Sequence, residues 1–370
     1  MMRFISIAVA IPKSCDGIER APSAFDGSRL QRGWCSIISV AAVGLFVRPA
    51  TRQQLTSERL VAMALRLLGH IELPAHRSTG GFDHADIHLP TNRIYVAHTS
   101  NDSVDVIDCG RDRYIESIPD LIGVAGALVS ETRGLVFTSN RGENTVSVFA
   151  PCEEQNAFKI AVGVKPNGLA FDPTRNILIA ANIGDPSIPD SCSVSVVDVE
   201  RRERIAEVKV PGRTRWAIYD ATLEMFFVNI ASPPRIAAID VRDPIKISTE
   251  YEIPATGPHG LDLDLAKGRL LCACDASALF AIDAASGRVL GNVPLSGPPD
   301  VIFLHPQSEH LYVAIGDPGV IDVINVDTMR CEEVVPTEAG AHTLALDRKR
   351  NKIYSFLPQS HCAAVFVDTA

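Results

Sequence analysis

Seven dipeptides stand at the head of similar apolar segments along the chain: Asp83-His84, Ala125-Gly126, Asn167-Gly168, Arg215-Trp216, His259-Gly260, Pro299-Asp300 and Ala341-His342. Imidazole and carboxylate are ligands for divalent cations, and a cation so held polarises a carbonyl and activates water, the chemistry of a metal-assisted hydrolase or lactonase. On that reading a divalent metal is the cofactor and His84, His98, His259 and His342 are its candidate ligands, although no compact ligand motif joins them. Without a metal, His84, Asn167, Arg215, His259, Asp300 and His342 make a ligand-binding set for a small polar molecule. Arg215 beside Trp216 suits an anion or a planar group. The plainer alternative for every one of these side chains is a hydrogen bond to a neighbouring loop.

Other chemistries lack their residues. The nine cysteines, among them Cys109, Cys152, Cys192, Cys331 and Cys362, form no C-x-x-C pair, no C-x-x-C-H haem c attachment sequence and no iron-sulfur pattern. Cys272 and Cys274 lie two apart on one strand face and read as buried packing. A net charge of −9 and a pI near 5.6 exclude nucleic acid as a main partner, because phosphate binding needs a clustered basic surface.

Residues this far apart in sequence converge only if the elements between them repeat. An alternating apolar segment does so: SVDVID ending at Asp108, TVSVFA at Ala150, SVSVVD at Asp198, RIAAID at Asp240, LFAID at Asp283, IDVIN at Asn325 and AVFVD at Asp368, spaced by 42, 48, 42, 43, 42 and 43 residues. A second strand precedes each copy, an inner strand precedes that, and a fourth strand follows all but the last. Period-two alternation at this interval is four short strands plus turns, the blade of a β-propeller. The expected fold is therefore all-β, a seven-bladed propeller over residues 66–370. The last unit ends two residues after Asp368, so its outer strand must come from elsewhere, and RLLGHIELPA at 66–75 reads like the outer strand RVLGNVPLSG at 288–297. Closure by that N-terminal strand removes two sheet edges.

The second strands carry Tyr95-Val96-Ala97-His98 and Tyr312-Val313-Ala314-Ile315, followed by a turn and a strand of V-x-V-I-D type. In these residues the repeats resemble the YVTN/YncE family of seven-bladed propellers, over about 300 residues. Phe227-Val228-Asn229 and Tyr354-Ser355-Phe356 depart from the pattern without disturbing it. The resemblance implies architecture and says little of activity. It places the loops into the inner strands, and those joining second to third strands (His98, Asn140, Asn182, Asp275, Asp317, His361), on one face around the channel mouth. His88, His305 and His310 fall at the opposite turns and are expected at the surface, and His70 and His76 in the closing segment and its exit. Extra residues at 184–192 lengthen one loop of the mouth face and read as a lid or as a neutral insertion.

Residues 1–62 are expected to be a poorly structured extension. Their two apolar runs, 4–11 and 36–47, are too short to span a bilayer. Either the second is a weak secretion signal, giving a periplasmic or secreted protein, or translation starts at Met63, giving a cytoplasmic one; the second reading is favoured. The function expected is a monomeric binding or scaffold propeller taking a small molecule or protein at its mouth, with the hydrolase as alternative. The six-bladed lactonases share only the concept, because no Glu stands in the aligned rim positions.

Overall fold

The computed structural model describes residues 64–369. Among them 28 strands form seven four-stranded antiparallel sheets: blade 1 (85–118), blade 2 (124–161), blade 3 (166–209), blade 4 (214–252), blade 5 (258–294), blade 6 (299–336) and blade 7 (343–368 with 65–72). The inner strands touch in chain order and that of blade 7 meets that of blade 1, so the ring is closed. Second and third strands are sandwiched on both faces by neighbouring blades, which is why runs such as Ile177–Asn182 and Arg269–Cys274 are buried throughout. Outer strands such as Glu203–Lys209 bury little of themselves and carry the charge.

Each turn from inner to second strand places one residue in the left-handed region: Asn92, Gly134, Asn176, Glu224, Gly268, Glu309 and Asn351, all with φ between 53° and 60°. A tight hairpin needs that positive φ, and Asn or Gly supplies it cheaply at five of the seven sites. The tyrosines that carry the repeat pattern stitch the ring together. Buried Tyr95 donates to Glu154 Oε1 at 3.1 Å in blade 2, Tyr312 to Asp368 in blade 7, and Tyr354 to Asp112 Oδ1 at 2.8 Å in blade 1.

The strand that completes blade 7 is Leu65–Glu72, paired antiparallel with Cys362–Asp368 from Leu65 opposite Asp368 to Glu72 opposite Cys362. It is shorter than the 66–75 expected, because the ladder continues only through the Leu73 amide, 2.9 Å from the His361 carbonyl, before Pro74 removes the donor. Leu65 and Ile71 point into the ring and are buried.

His88, His305 and His310 are buried, against the surface position expected, because each turn packs its ring beside a polar partner, a local one for His88 and one on the neighbouring blade for His305 and His310. His310 lies 2.8 Å from Asp368 Oδ2, His305 3.1 Å from Asn351 Oδ1, and His88 2.8 Å from Thr91 Oγ1. No helix among the described residues is long and apolar enough to cross a membrane. The expectations for residues 1–62 lie outside the described residues.

Candidate functional site at the channel mouth

The glycines of the rim dipeptides have a physical cause. A Cβ on Gly126 would meet the Asn167 carbonyl oxygen at 2.5 Å, one on Gly168 that of Arg215 at 2.4 Å, and one on Gly260 that of Asp300 at 2.3 Å. Each glycine thus lets the next rim backbone come close, and in blades 2 to 6 the inner ladder shifts register at these positions. The shifted residues lie at the mouth.

His259 is the hub of one side. Its Nδ1 lies 2.7 Å from Asp275 Oδ1, and its Nε2 lies 3.2 Å from Asp300 Oδ1 and 3.0 Å from Arg215 Nη1. Burial opposes a charge on this ring, but Asp300 and Asp275 outweigh it and raise its pKa to about 9. Protonated at neutral pH, Nε2 donates to Asp300, and Arg215 is also paired with Asp275, Nη2 lying 3.6 Å from Oδ2. Asp300 is half-buried, and desolvation alone would raise it, yet His259, then His342 and His84, hold it well below the carboxylate range. His342 itself donates Nδ1 to the Gly340 carbonyl at 2.7 Å.

On the other side Arg141, at the turn after the second strand of blade 2, donates to Asp83 Oδ2 at 3.1 Å and to Asn167 Oδ1. His84 is buried, with its ring 4.1 Å from that of Trp216, and burial pushes its pKa down against the pull of Asp83 and Asp300. Trp216 starts in blade 4 and reaches across to His84 of blade 1 and Phe303 of blade 6, so it plugs the channel below the mouth.

The loop at 184–192 is a wall. With Arg141, Lys165 and Arg213 it encloses a cleft of about 670 Å³. Lys165 is tied to Asp185 at 2.7 Å. The Arg213 guanidinium has no hydrogen bond or ion pair among the described residues, and desolvation, Arg215 and Arg141 together press its pKa below the usual arginine range.

Five of the six expected binding residues therefore share the mouth, with His84 beneath them against the plug. His98 stands apart. Fully buried between blades 1 and 7, it is 2.7 Å from Asp105 Oδ2 through Nδ1 and 2.7 Å from His76 Nδ1 through Nε2. Among the described residues no group of three or more His, Cys, Asp or Glu is arranged to hold a metal ion. Arg141, Lys165 and Arg213 were not among the expected residues; the signal for Arg141 is its place directly after Asn140, and for Arg213 its place two before Arg215.

No family model matches the chain, and no curated protein matches it. Among solved structures, Kuenenia stuttgartiensis hydrazine synthase superposes with a TM-score of 0.68 at 15% identity, covering 80% of this chain and 98% of that one. At that identity the likeness shows the fold, a seven-bladed propeller, and the side chains of the mouth are this chain's own.

Proposed function

We propose that the protein is a binding propeller, of the YVTN type its repeats resemble, that captures a small anionic molecule at the channel mouth between blades 2, 3 and 4. The observation that carries this is the partnerless Arg213, crowded by Arg141 and Arg215 on the wall of a cleft. Arg141, Lys165 and Arg213 line the cleft against the carboxylates Asp185 and Asp190, an excess of one cation. An anion relieves that excess and offers planar acceptors to guanidinium forks. The hydrolase alternative gains no donor set among the described residues: His259 is bound to Asp275 and Asp300, His84 lies beside Asp83, His342 bonds a backbone carbonyl, and no three such groups converge.

Calorimetric titration of the full chain with citrate and with pyrophosphate tests the reading. Saturable binding of at least one, weakening as salt rises, is expected, with Arg213→Glu and Arg141→Ala each costing about tenfold in Kd, as for one charged hydrogen bond. Absence of saturable binding for both, or affinity unchanged in Arg213→Glu, overturns it.

A further inference from the structure

On the far side of the Trp216 plug the channel holds a separate cavity of about 370 Å³. Its wall is built by inner strands from around the ring: Leu128, Leu169, Phe171, Ile218 and Ile302 are apolar, and Trp216, Tyr219 and Phe303 add aromatic faces. Two carboxylates interrupt the wall from widely separated blades. Asp86 of blade 1 accepts the amides of Ile87 at 2.8 Å and Val129 at 2.7 Å, and Asp262 of blade 5 accepts those of Leu263 at 2.8 Å and Leu304 at 2.6 Å. Each oxygen keeps a lone pair beyond its backbone bond. Glu131, a third carboxylate, lines the same cavity.

The only cationic side chain in the lining is Arg348, and it forms no ion pair among the described residues; its Nε is spent on the Leu304 carbonyl at 3.3 Å. Two carboxylates in the wall, and Glu131 at its exposed rim, thus face one guanidinium across an aromatic lining. An acid entering it meets like charge, and a neutral apolar molecule leaves the carboxylates uncompensated. A cation on an apolar body answers both, since its charge pairs with the carboxylates and lies on the aromatic faces. The volume is at the small end of ligand pockets, which run from about 300 to 1,000 Å³.

We infer that this cavity binds a compact organic cation, a protonated amine carried on an apolar or aromatic body, as a site distinct from the anion cleft at the mouth. The state of the carboxylates agrees. Burial raises Asp86 to about 6, against its backbone bonds and Arg348, and Asp262 is raised by the same cause. A cation seated beside them pulls both down, so uptake at pH 6 releases a fraction of a proton and affinity rises from pH 5 to pH 7.

The test uses the full chain carrying Trp34→Phe, which leaves Trp216 as the sole tryptophan reporter. The probes are 2-phenylethylamine and 3-phenylpropionate, alike in size and opposite in charge, titrated at pH 7.5 by Trp216 fluorescence and calorimetry. Saturable amine binding is expected, at least tenfold tighter than the acid. Asp86→Asn and Asp262→Asn should each weaken it at least fivefold, and Arg348→Met should strengthen it. Arg213→Glu, in the other cleft, should leave it unchanged. Equal or tighter binding of the acid, no saturable signal with millimolar amine, or amine affinity indifferent to both Asn variants overturns the inference and leaves Asp86 and Asp262 as ties between inner strands. Should the Asn variants fail to fold, Arg348→Met decides alone, and unchanged or weaker amine binding in it overturns the inference.

Discussion

At the scale of single residues, His259 carries the clearest consequence. Its folded pKa of about 9, set by Asp300 and Asp275 against burial, exceeds the ordinary value of 6.5. A raised pKa contributes stability that is complete below pH 6.5 and is lost as pH climbs through 9. With ~1.4 kcal/mol per unit, the contribution is on the order of 3 kcal/mol at most. Denaturant unfolding should therefore show the chain weakening from pH 6.5 to 9.5, and His259→Gln should flatten that slope; parallel slopes would mean the imidazolium does not exist. His259 and Asp300 are legible in the sequence because they fall in the aligned dipeptides at the heads of the inner strands. Arg141 and Arg213 are not, because where a long cationic side chain ends depends on the turn that launches it. His310 was misplaced for a related reason: its carboxylate partner, Asp368, is 58 residues away on the next blade.

At the scale of elements, the seam between Leu65–Glu72 and blade 7 is the place where the ring depends on distant pairing. Ile71→Ala should cost about 2–4 kcal/mol by the usual burden of a buried large-to-small change, measured as a drop in unfolding free energy. The same seam should be acid-sensitive through His76. Its neighbours are His98, His361 and Phe82 by ring contact, Ser100 Oγ at 2.9 Å, Asp105 behind His98, and the Pro358 backbone. Burial, then His98 and His361, lower its pKa, outweighing the Pro358 bond and Asp105. A lowered histidine stabilises above its unfolded value of 6.5, and that contribution is lost as pH falls through the folded value. His76→Phe should then lose less melting temperature than the parent between pH 7 and pH 5, and equal losses would remove His76 as the cause. The closing strand was readable because its sequence matches an outer strand and one blade lacked one. Its end at Glu72 and the bulge between Leu67 and Gly69 were not, since both depend on backbone pairing that composition does not encode.

At the scale of the whole molecule, the ring makes the order of the chain nearly irrelevant to its packing. Ala64 and Thr369 are already adjacent, with the Thr369 amide 2.9 Å from the Ala64 carbonyl, and every blade is buried by its two neighbours wherever the chain is cut. A permuted chain that begins at residue 76 and carries residues 1–75 after residue 370, through a short Gly-Ser linker, keeps every strand pair of the parent. The outer strand of blade 7 would then follow its partner in sequence instead of preceding all the others. Loop-closure entropy grows only slowly with length, so the permutant should melt within a few degrees of the parent. A second permutant lacking 64–75 loses the burial of Leu65, Ile71 and Leu73 and leaves Cys362–Asp368 as an uncovered apolar edge, and it should aggregate. If the first permutant melted far below the parent, or the second stayed monomeric with the parent's stability, the ring would not be held by the antiparallel register from Leu65 to Glu72.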